Sequence, residues 1–138
     1  MEPAGNATNE IAEFQRWLNR NYVAKLTVDG EYGPLTKKAA LKAFQKCLNA
    51  TCRTALVVDG IWGPKTQTVA ARFILSQGAR GNGVYLLQGM LYCKGYDPKG
   101  FDGIFGSGCK ACVKKYQKAE GLDVDGIVGK QVWTDLFA

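Results

Sequence analysis

The sequence Asp-Gly-x-x-Gly occurs four times in this 138-residue chain, and it constrains the fold more than any other feature. The copies read "VDGEYG" at 28–33, "VDGIWG" at 58–63, "FDGIFG" at 101–106 and "VDGIVG" at 124–129, and we call them phrases 1 to 4. Each copy makes either a ligand site or a turn. Four copies predict a fold that is built from internal repeats.

The residues of the phrase favour a turn that ends a loop and starts a helix. Glycine at the second and fifth positions permits a positive φ and a close backbone approach. The aspartate side chain is expected to accept hydrogen bonds from backbone N–H groups one or two residues later. In phrases 1 and 2 a proline follows, which suits the first turn of a helix, and Asp or Thr nearby is expected to cap that helix.

A calcium loop is the rival interpretation of the phrase. An EF-hand requires oxygen ligands at alternate positions and a late bidentate Glu. Only phrase 4, within "DVDG" at 123–126, has a second Asp close by, and no copy has the late Glu. Neither G-x-G-x-x-G nor a Walker pattern is present for phosphate. We therefore expect turns, with no metal and no cofactor.

Helical periodicity fills the stretches around the phrases, which predicts an all-α fold. Apolar faces at helical spacing begin at Ile11, Ala40, Val69, Val84, Cys109 and Val132. The third of these faces is expected to include Phe73.

The helices and phrases repeat as two halves rather than as four units. A shift of 73 residues places Gln15 on Gln88 and Asp29 on Asp102, while the second phrases of the halves align at a shift of 66. We expect two tandem three-helix domains, at 9–78 and 79–138, each with its own core, after a linker remnant at 1–8. The Gly-rich segment "QGARGNG" at 77–83 marks the boundary.

Histidine is absent, which removes Ser-His and Cys-His nucleophile pairs and His general bases. Carboxylates alone can run glycoside hydrolysis, but the acids here lie mostly in the phrases, where turns engage them. Catalysis is therefore not expected. The five cysteines, with Cys109 and Cys112 spaced C-x-x-C inside a helical pattern, are expected to be reduced core residues rather than zinc ligands or disulfides.

The net charge of +6 favours anionic partners in general. Lys37, Lys38, Lys42 and Lys46 alternate with apolar residues, which is typical of the solvated face of a helix. No helix-turn-helix or zinc-finger pattern is present, so nucleic acid is not an expected partner. No apolar run is long enough to span a bilayer and no signal peptide is visible, so no membrane partner is expected.

Two stretches of the chain carry the motifs of a known family. Within residues 86–136, "LLQGMLYCKGY", "FDGIFG" and "VKKYQKAEGLDVDGIVGKQVWTDL" follow the pattern LQxxLxxxGY, then DGxFGxxTxxAVxxFQxxxGLxxDGxxGxxTWxxL. Residues 14–73 follow it more loosely. The chain thus resembles the peptidoglycan-binding domain found at the ends of bacterial and phage cell-wall hydrolases. It departs from the pattern at Cys109 and Val132, where the family has Thr and helix-capping hydroxyls are expected to be lost, and at Gln67, where the family has Trp.

The resemblance implies a non-catalytic cell-wall-binding module of the endolysin type, with peptidoglycan, through its stem peptide or its glycan, as the partner. It also implies an N-terminal hydrolase domain, outside this chain, that the module would target to the bacterial cell wall. The parent protein would be phage-encoded and released by a holin, or secreted and represented here by a fragment. Two alternatives stay open: an interaction or self-association module, and a charge-driven binder of anionic polymers.

Aromatic side chains in or beside loops are candidate ligand-binding residues, because ligand sites combine aromatic surfaces with a few hydrogen-bonding groups. Loop arginines are candidate partners for stem-peptide carboxylates. The candidate site comprises Tyr32, Arg53, Trp62, Arg80, Tyr96 and Phe105. For Trp62 and Phe105 the alternative is a packing role that fixes the loop to the core. Trp17 and Trp133 lie on apolar helix faces and are expected in the core.

Overall fold

A computed structural model describes residues 9–138, so the linker predicted at 1–8 lies outside the described residues. The all-α prediction is confirmed by six helices: α1 (Glu10–Tyr22), α2 (Pro34–Cys52), α3 (Pro64–Ala70), α4 (Asn82–Cys93), α5 (Ser107–Ala119) and α6 (Lys130–Phe137). Within residues 9–138, extended pairing is limited to two isolated antiparallel bridges, Leu75–Val128 and Arg80–Ile104. No helix in this range is long and apolar enough to cross a membrane.

Each phrase ends where a helix starts, as the sequence predicts. α2, α3, α5 and α6 all begin at the residue after the second glycine of a phrase, and that glycine is the N-cap. Pro34 and Pro64 open α2 and α3, where the fixed φ of proline suits the helix and its missing N–H is not needed.

Only the first glycine of the phrase needs its conformational freedom. Gly60 has a φ of +70°, and a Cβ there would lie 2.7 Å from Cγ of Lys38. Gly63 instead has a φ of −97°, and a Cβ there would meet nothing within 4 Å. The positive φ that the sequence interpretation allowed at both glycines is thus found at the first glycine of every phrase and at none of the second glycines.

The two halves share one hydrophobic core, in place of the separate cores expected from the sequence. Phe44 of α2 packs against Trp133 and Phe137 of α6, with ring centroids 4.5 and 4.8 Å apart. Phe14 of α1 fills the space over Gly89 of α4 so closely that an added Cβ would come within 2.1 Å of the ring. Buried apolar residues of both halves consequently belong to a single cluster.

The segment between α3 and α4 is hydrogen-bonded to both phrases of the second half. Leu75 N donates to Val128 O at 2.9 Å and Val128 N donates back to Leu75 O at 2.8 Å. Phe105 N donates to Ala79 O at 2.9 Å. The Gly-rich stretch therefore fixes the second half against the first.

α3 is shorter than the apolar pattern predicts. It ends at Ala70, and Phe73 lies beyond it in a turn that is closed by the Phe73 N to Ala70 O hydrogen bond of 3.0 Å. The Phe73 carbonyl, released from helix bonding, accepts from Trp133 Nε1 at 2.8 Å. A residue expected on a helix face thus joins the two halves.

Candidate functional site

A buried glutamine on the preceding helix holds each phrase. At phrase 2, Gln45 of α2 donates from Nε2 to Asp59 Oδ1 at 3.0 Å and to Ile61 O at 3.2 Å. Its Oε1 accepts from Gly60 N at 2.9 Å, and Thr66 Oγ1 lies 3.1 Å from Nε2. Carboxylate and carbonyl oxygens can only accept, so they fix the orientation of the amide. Asp59 Oδ1 also accepts from Ile61 N at 3.0 Å, which is the turn expected for the aspartate.

The same arrangement occurs at all four phrases. The glutamines are Gln15, Gln45, Gln88 and Gln117, and they donate to Asp29, Asp59, Asp102 and Asp125 at 2.9–3.0 Å. Each glutamine is at most 1% exposed. The hydrogen bonding therefore repeats four times, which is a finer repeat than the two units interpreted from the sequence.

The halves differ in the third partner of the glutamine amide. In the first half Thr36 and Thr66 supply a buried hydroxyl at 3.0 and 3.1 Å. Cys109 and Val132 stand at the equivalent positions of the second half. The expectation that these hydroxyls cap helices is wrong, because all four helices have a glycine N-cap without a side-chain cap bond. The hydroxyls bind the glutamine instead.

The phrase carboxylates are held in their ionised form. The hydrogen bond from Gln45 lowers the pKa of Asp59, and that from Gln88 lowers the pKa of Asp102, each with a backbone N–H as the second cause. A general acid working near neutral pH needs the opposite, a raised carboxyl pKa. The acids of the phrases therefore serve the turns.

In the first half an asparagine one turn after the glutamine fixes the loop that enters the phrase. Asn49 donates from Nδ2 to Leu56 O at 3.0 Å and accepts from Leu56 N at 2.7 Å. Asn19 makes the same two bonds to Leu26 at the same distances. The second half has no asparagine at either equivalent position. The entering loops of the first half are thus tied to their helices by asparagine, whereas in the loop that enters phrase 3 Tyr92, at the equivalent position, hydrogen-bonds Asp97 and the Gly100 backbone.

Each entering loop and the helix after its phrase enclose a shallow surface groove, so the chain has four equivalent grooves, numbered like the phrases. The residue three before the phrase aspartate lines each one: Leu26, Leu56, Lys99 and Leu122. The residues six, nine and ten after that aspartate do so too: Leu35, Lys38 and Ala39; Lys65, Thr68 and Val69; Gly108, Ala111 and Cys112; Gln131, Thr134 and Asp135.

The four grooves have similar sizes and different chemistry. Their volumes are about 540, 420, 440 and 480 Å³, which is within the range of small-ligand sites and leaves room for a short peptide or a sugar. Groove 1 is lined by four lysines and no acid, and groove 2 by one lysine. Grooves 3 and 4 each combine lysine with an aspartate. The repeat therefore presents four variants of one surface.

Three of the predicted ligand residues, Tyr32, Trp62 and Phe105, occupy the same position of their phrases and face the core. Phe105 is 1% exposed, so its ring lies inside the fold and not on a surface. Trp62 is half-buried and stacks on Phe44 and Phe137. Within the described chain, the Tyr32 hydroxyl and Trp62 Nε1 are buried without a hydrogen-bond partner. These rings act first as packing groups.

The other three predicted residues lie in separate places: Arg53 and Arg80 are exposed, and Tyr96 is half-buried against Tyr116. Arg53 and Tyr96 share one position of the repeat, at the start of the loops that enter phrases 2 and 3, and Tyr96 lines groove 3. Arg80 lines a cleft between the halves, together with Tyr22 and Lys46. The structure therefore does not bring the six predicted residues together into one site.

The roles of two groups of residues were not predicted from the sequence. The buried glutamines precede the aspartates of phrases 1, 2 and 3 by the same 14 residues, and this constant spacing is the signal that identifies them. Lys38, Lys42 and Lys46 recur at every fourth residue of α2. This spacing is the same for a helix face that is open to solvent and for one that lines a groove. Only the packed loop beside α2 distinguishes the two cases.

Cys109 and Cys112 are buried on α5 and stay protonated at neutral pH. Burial raises the pKa of Cys109 to about 12 and that of Cys112 to about 11. The thiolate is the form that binds metal ions and reacts as a nucleophile. Across residues 9–138, no group of three or more His, Cys, Asp and Glu side chains is placed to hold a metal ion.

Six helices, four glutamine-held turns and four surface grooves define a helical repeat protein whose surface suits ligand binding. A sequence model of the family described as "Putative peptidoglycan binding domain" matches residues 7–69 and 80–136. The chain belongs to this family and contains two tandem copies of its domain, which confirms the resemblance found in the sequence. The family domain is a binding domain and not a catalytic one.

Several curated proteins contain segments similar to this chain. Protein FadG of Bacillus subtilis (strain 168), described as uncharacterized, is 41% identical over 63 residues, which are 45% of this chain and 11% of FadG. Protein YbfG of the same strain, also described as uncharacterized, is 51% identical over 45 residues, 32% of this chain and 6% of YbfG. A spore cortex-lytic enzyme of Halalkalibacterium halodurans is 37% identical over 59 residues, 43% of this chain and 18% of the enzyme. The matched segments are thus small parts of these relatives.

Proposed function

We propose that the chain is a non-catalytic module that binds peptidoglycan through its surface grooves and holds a hydrolase on the bacterial cell wall. The observation that carries the proposal is the family match over both halves, combined with a groove at the same place in every repeat. Peptidoglycan is itself a repeating polymer, so a repeated groove suits it.

Only three of the six residues that the sequence predicts as ligand-binding are proposed to contact the ligand. Tyr96 lines groove 3, Arg80 lines the cleft between the halves, and Arg53 is exposed in the loop that enters phrase 2; these three are proposed to touch the ligand. Tyr32 and Trp62 are proposed to shape the walls from beneath, and the buried Phe105 to act on packing alone. The distinction follows from position: Tyr96 and Arg80 line a groove or the cleft and Arg53 is exposed, whereas the other three line none of these surfaces.

A catalytic partner is part of the proposal. The spore cortex-lytic enzyme shares only 18% of its length with this chain, which leaves most of that protein for other domains. We propose a similar arrangement here, in which a hydrolase domain outside this sequence cleaves the wall that the module binds. Phage release and secretion remain alternative routes to the wall within this proposal.

Co-sedimentation with purified sacculi tests the proposed function. The wild-type chain should pellet with sacculi, and it should not clear them, since it has no histidine and its phrase acids are held by turns. Phe105→Leu serves as a folded control that changes a buried ring and no groove. A chain that stays in the supernatant with sacculi, or one that lowers their turbidity by itself, would overturn the proposal.

Self-association is the competing function, and exposed apolar side chains favour it. Leu35 is 76% exposed, Val23 71% and Val57 75%, all at groove rims. Sedimentation velocity decides between the functions. A monomer over a wide concentration range that still pellets with sacculi supports wall binding, and a concentration-dependent dimer that ignores sacculi supports association.

A further inference from the structure

Groove 1 and the cleft between the halves form one continuous surface. Tyr22 and Lys46 line both of them. Across the cleft, Asn82 Nδ2 of α4 donates to the Tyr22 hydroxyl at 2.9 Å, so the second half holds the shared wall in place. Arg80, from the segment between the halves, lines the far end. We call this surface the basic track.

The basic track is strongly cationic. Its charged lining consists of Lys25, Lys38, Lys42, Lys46 and Arg80, and no acidic side chain lines either the groove or the cleft. Among residues 9–138, the ion pair within 4.0 Å joins Lys99 to Asp97 at groove 3, away from the track. Asp59 is close enough to Lys38 to have its pKa lowered slightly, but its carboxylate is already bound by Gln45. The ammonium groups of the track are therefore available to an anionic ligand.

The walls between the cations are apolar. Val23, Leu26, Leu35 and Ala39 line groove 1. Lys46 lies over the ring of Tyr22, with Nζ 6.0 Å from the centroid, so an aromatic surface and a positive charge lie side by side in the track. A ligand that fits this surface is a short chain that combines several carboxylates with small apolar groups.

We propose that the basic track binds the acidic stem peptide of peptidoglycan, a short peptide that carries several free carboxylates together with alanyl methyl groups. This inference rests on the proposed function and assigns the anionic part of the polymer to one of the four grooves. A poly(glycerol phosphate) wall polymer has the charge but lacks the apolar groups that the walls would bury. Because the track crosses between the halves, both copies of the domain contribute to a single site.

Charge-neutral variants with a matched control test the assignment. Lys38, Lys42 and Lys46 on α2 are replaced together by Gln; the control replaces Lys110, Lys114 and Lys118 on α5, which have the same spacing and lie outside the four grooves. Lys38 and Lys110 both pack over the first glycine of the following phrase, so any loss of stability is matched as well. A third variant, Arg80→Gln, tests the cleft end of the track.

The probe is the synthetic tetrapeptide L-Ala, D-isoGlu, meso-diaminopimelate, D-Ala, used with free carboxylates and with all carboxylates amidated. Titration calorimetry of the α2 variant should show about a tenfold loss of affinity for the free peptide, as expected when three exposed charge contacts are removed. The α5 control should change by less than about twofold on the same grounds. Arg80→Gln should also weaken binding, and amidation of the peptide should abolish it.

Co-sedimentation with sacculi distinguishes a failure of this inference from a failure of the proposed function. If the wild-type chain pellets with sacculi but ignores the tetrapeptide, the track assignment is wrong and wall binding stands. If it pellets only with sacculi that retain their phosphate polymer, and not after hydrofluoric acid treatment, the occupant is that polymer and the inference falls. Equal losses in the α2 and α5 variants would reduce the effect to net charge and would also overturn it.

Discussion

The two halves build the same turn with different side chains. In the first half a threonine hydroxyl joins the buried glutamine and an asparagine holds the entering loop. In the second half Cys109 and Val132 replace the threonines and neither asparagine is present. The distance from glutamine Nε2 to aspartate Oδ1 nevertheless stays between 2.9 and 3.0 Å in all four phrases. Glutamine, aspartate and the first glycine are thus what the turn requires, and the hydroxyl adds to it.

The largest effect is expected when the halves are separated. A chain that ends at residue 78 removes Trp133 and Phe137 from the Phe44 ring and α4 from α1. About 70 residues with part of a core are marginal for folding. We expect no cooperative thermal transition by circular dichroism, under conditions where residues 9–138 give one. A cooperative transition in the shorter chain would support two separate domains, at 9–78 and 79–138.

The next largest effect is expected from the buried glutamines. Gln45→Leu leaves the Gly60 N–H and the Thr66 hydroxyl without their partner, and the free energy of unfolding should fall by about 1–3 kcal/mol. Gln117→Leu should cost less, because no threonine hydroxyl is left unpaired in phrase 4. Urea denaturation measures both variants. The double variant Gln45→Leu, Thr66→Val should recover part of the loss, and no recovery would mean that the hydroxyl is not part of the network.

A smaller effect is expected when the missing hydroxyl is restored. Cys109→Thr replaces a thiol, which is a weak hydrogen-bond partner of Gln88, by the hydroxyl that Thr66 gives Gln45, and it should raise the free energy of unfolding by about 0.5–1.5 kcal/mol. Cys109→Val is the matched control, since it has nearly the same shape without the hydroxyl. If both variants change stability equally, the gain comes from packing, and the threonine hydroxyl does not strengthen the turns of the first half.

The smallest effect is expected from acid. The phrase aspartates have pKa values lowered below their usual value of about 3.9, so their contribution to stability is complete above that pH and is lost as the pH falls through the lowered values. The melting temperature should therefore be flat from about pH 7 to 5 and decline below about pH 4. Asp59→Asn should make the decline shallower, and the same acid slope in this variant would contradict the assignment to phrase 2.

The helices and turns follow from the sequence, whereas the relation between the halves does not. Apolar spacing identifies α1 to α6, and Trp17 and Trp133 are buried as expected, at 5% and 0% exposure. Periodicity predicts which face of a helix is buried but not which helix packs against that face, so the packing of Phe44 against α6 could not be predicted. Each half has its own three-helix pattern and a length of about 55 to 70 residues, which is why separate cores were expected.

The candidate site is less predictable because it depends on how deeply a loop is packed. Tyr32, Trp62 and Phe105 have the composition of a binding platform, but they occupy the phrase position that points into the core. The lysines of groove 1 have the composition of a bare helix face, but a loop closes over one side of them. In both cases residue type is uninformative until the neighbouring segment is placed.

The four glutamine networks also mean that the residues that determine the turn and the residues that line the grooves are different positions of the chain. The glutamine that holds the backbone at each phrase is shielded from solvent, whereas the positions six and nine residues after the aspartate line the grooves and already vary from Leu35 and Lys38 to Gln131 and Thr134. Substitutions can therefore change the groove of one repeat without disturbing its turn or the neighbouring repeats. If the grooves bind the wall as proposed, a library randomised at these groove positions in one repeat should yield variants with altered wall preference and an unchanged fold.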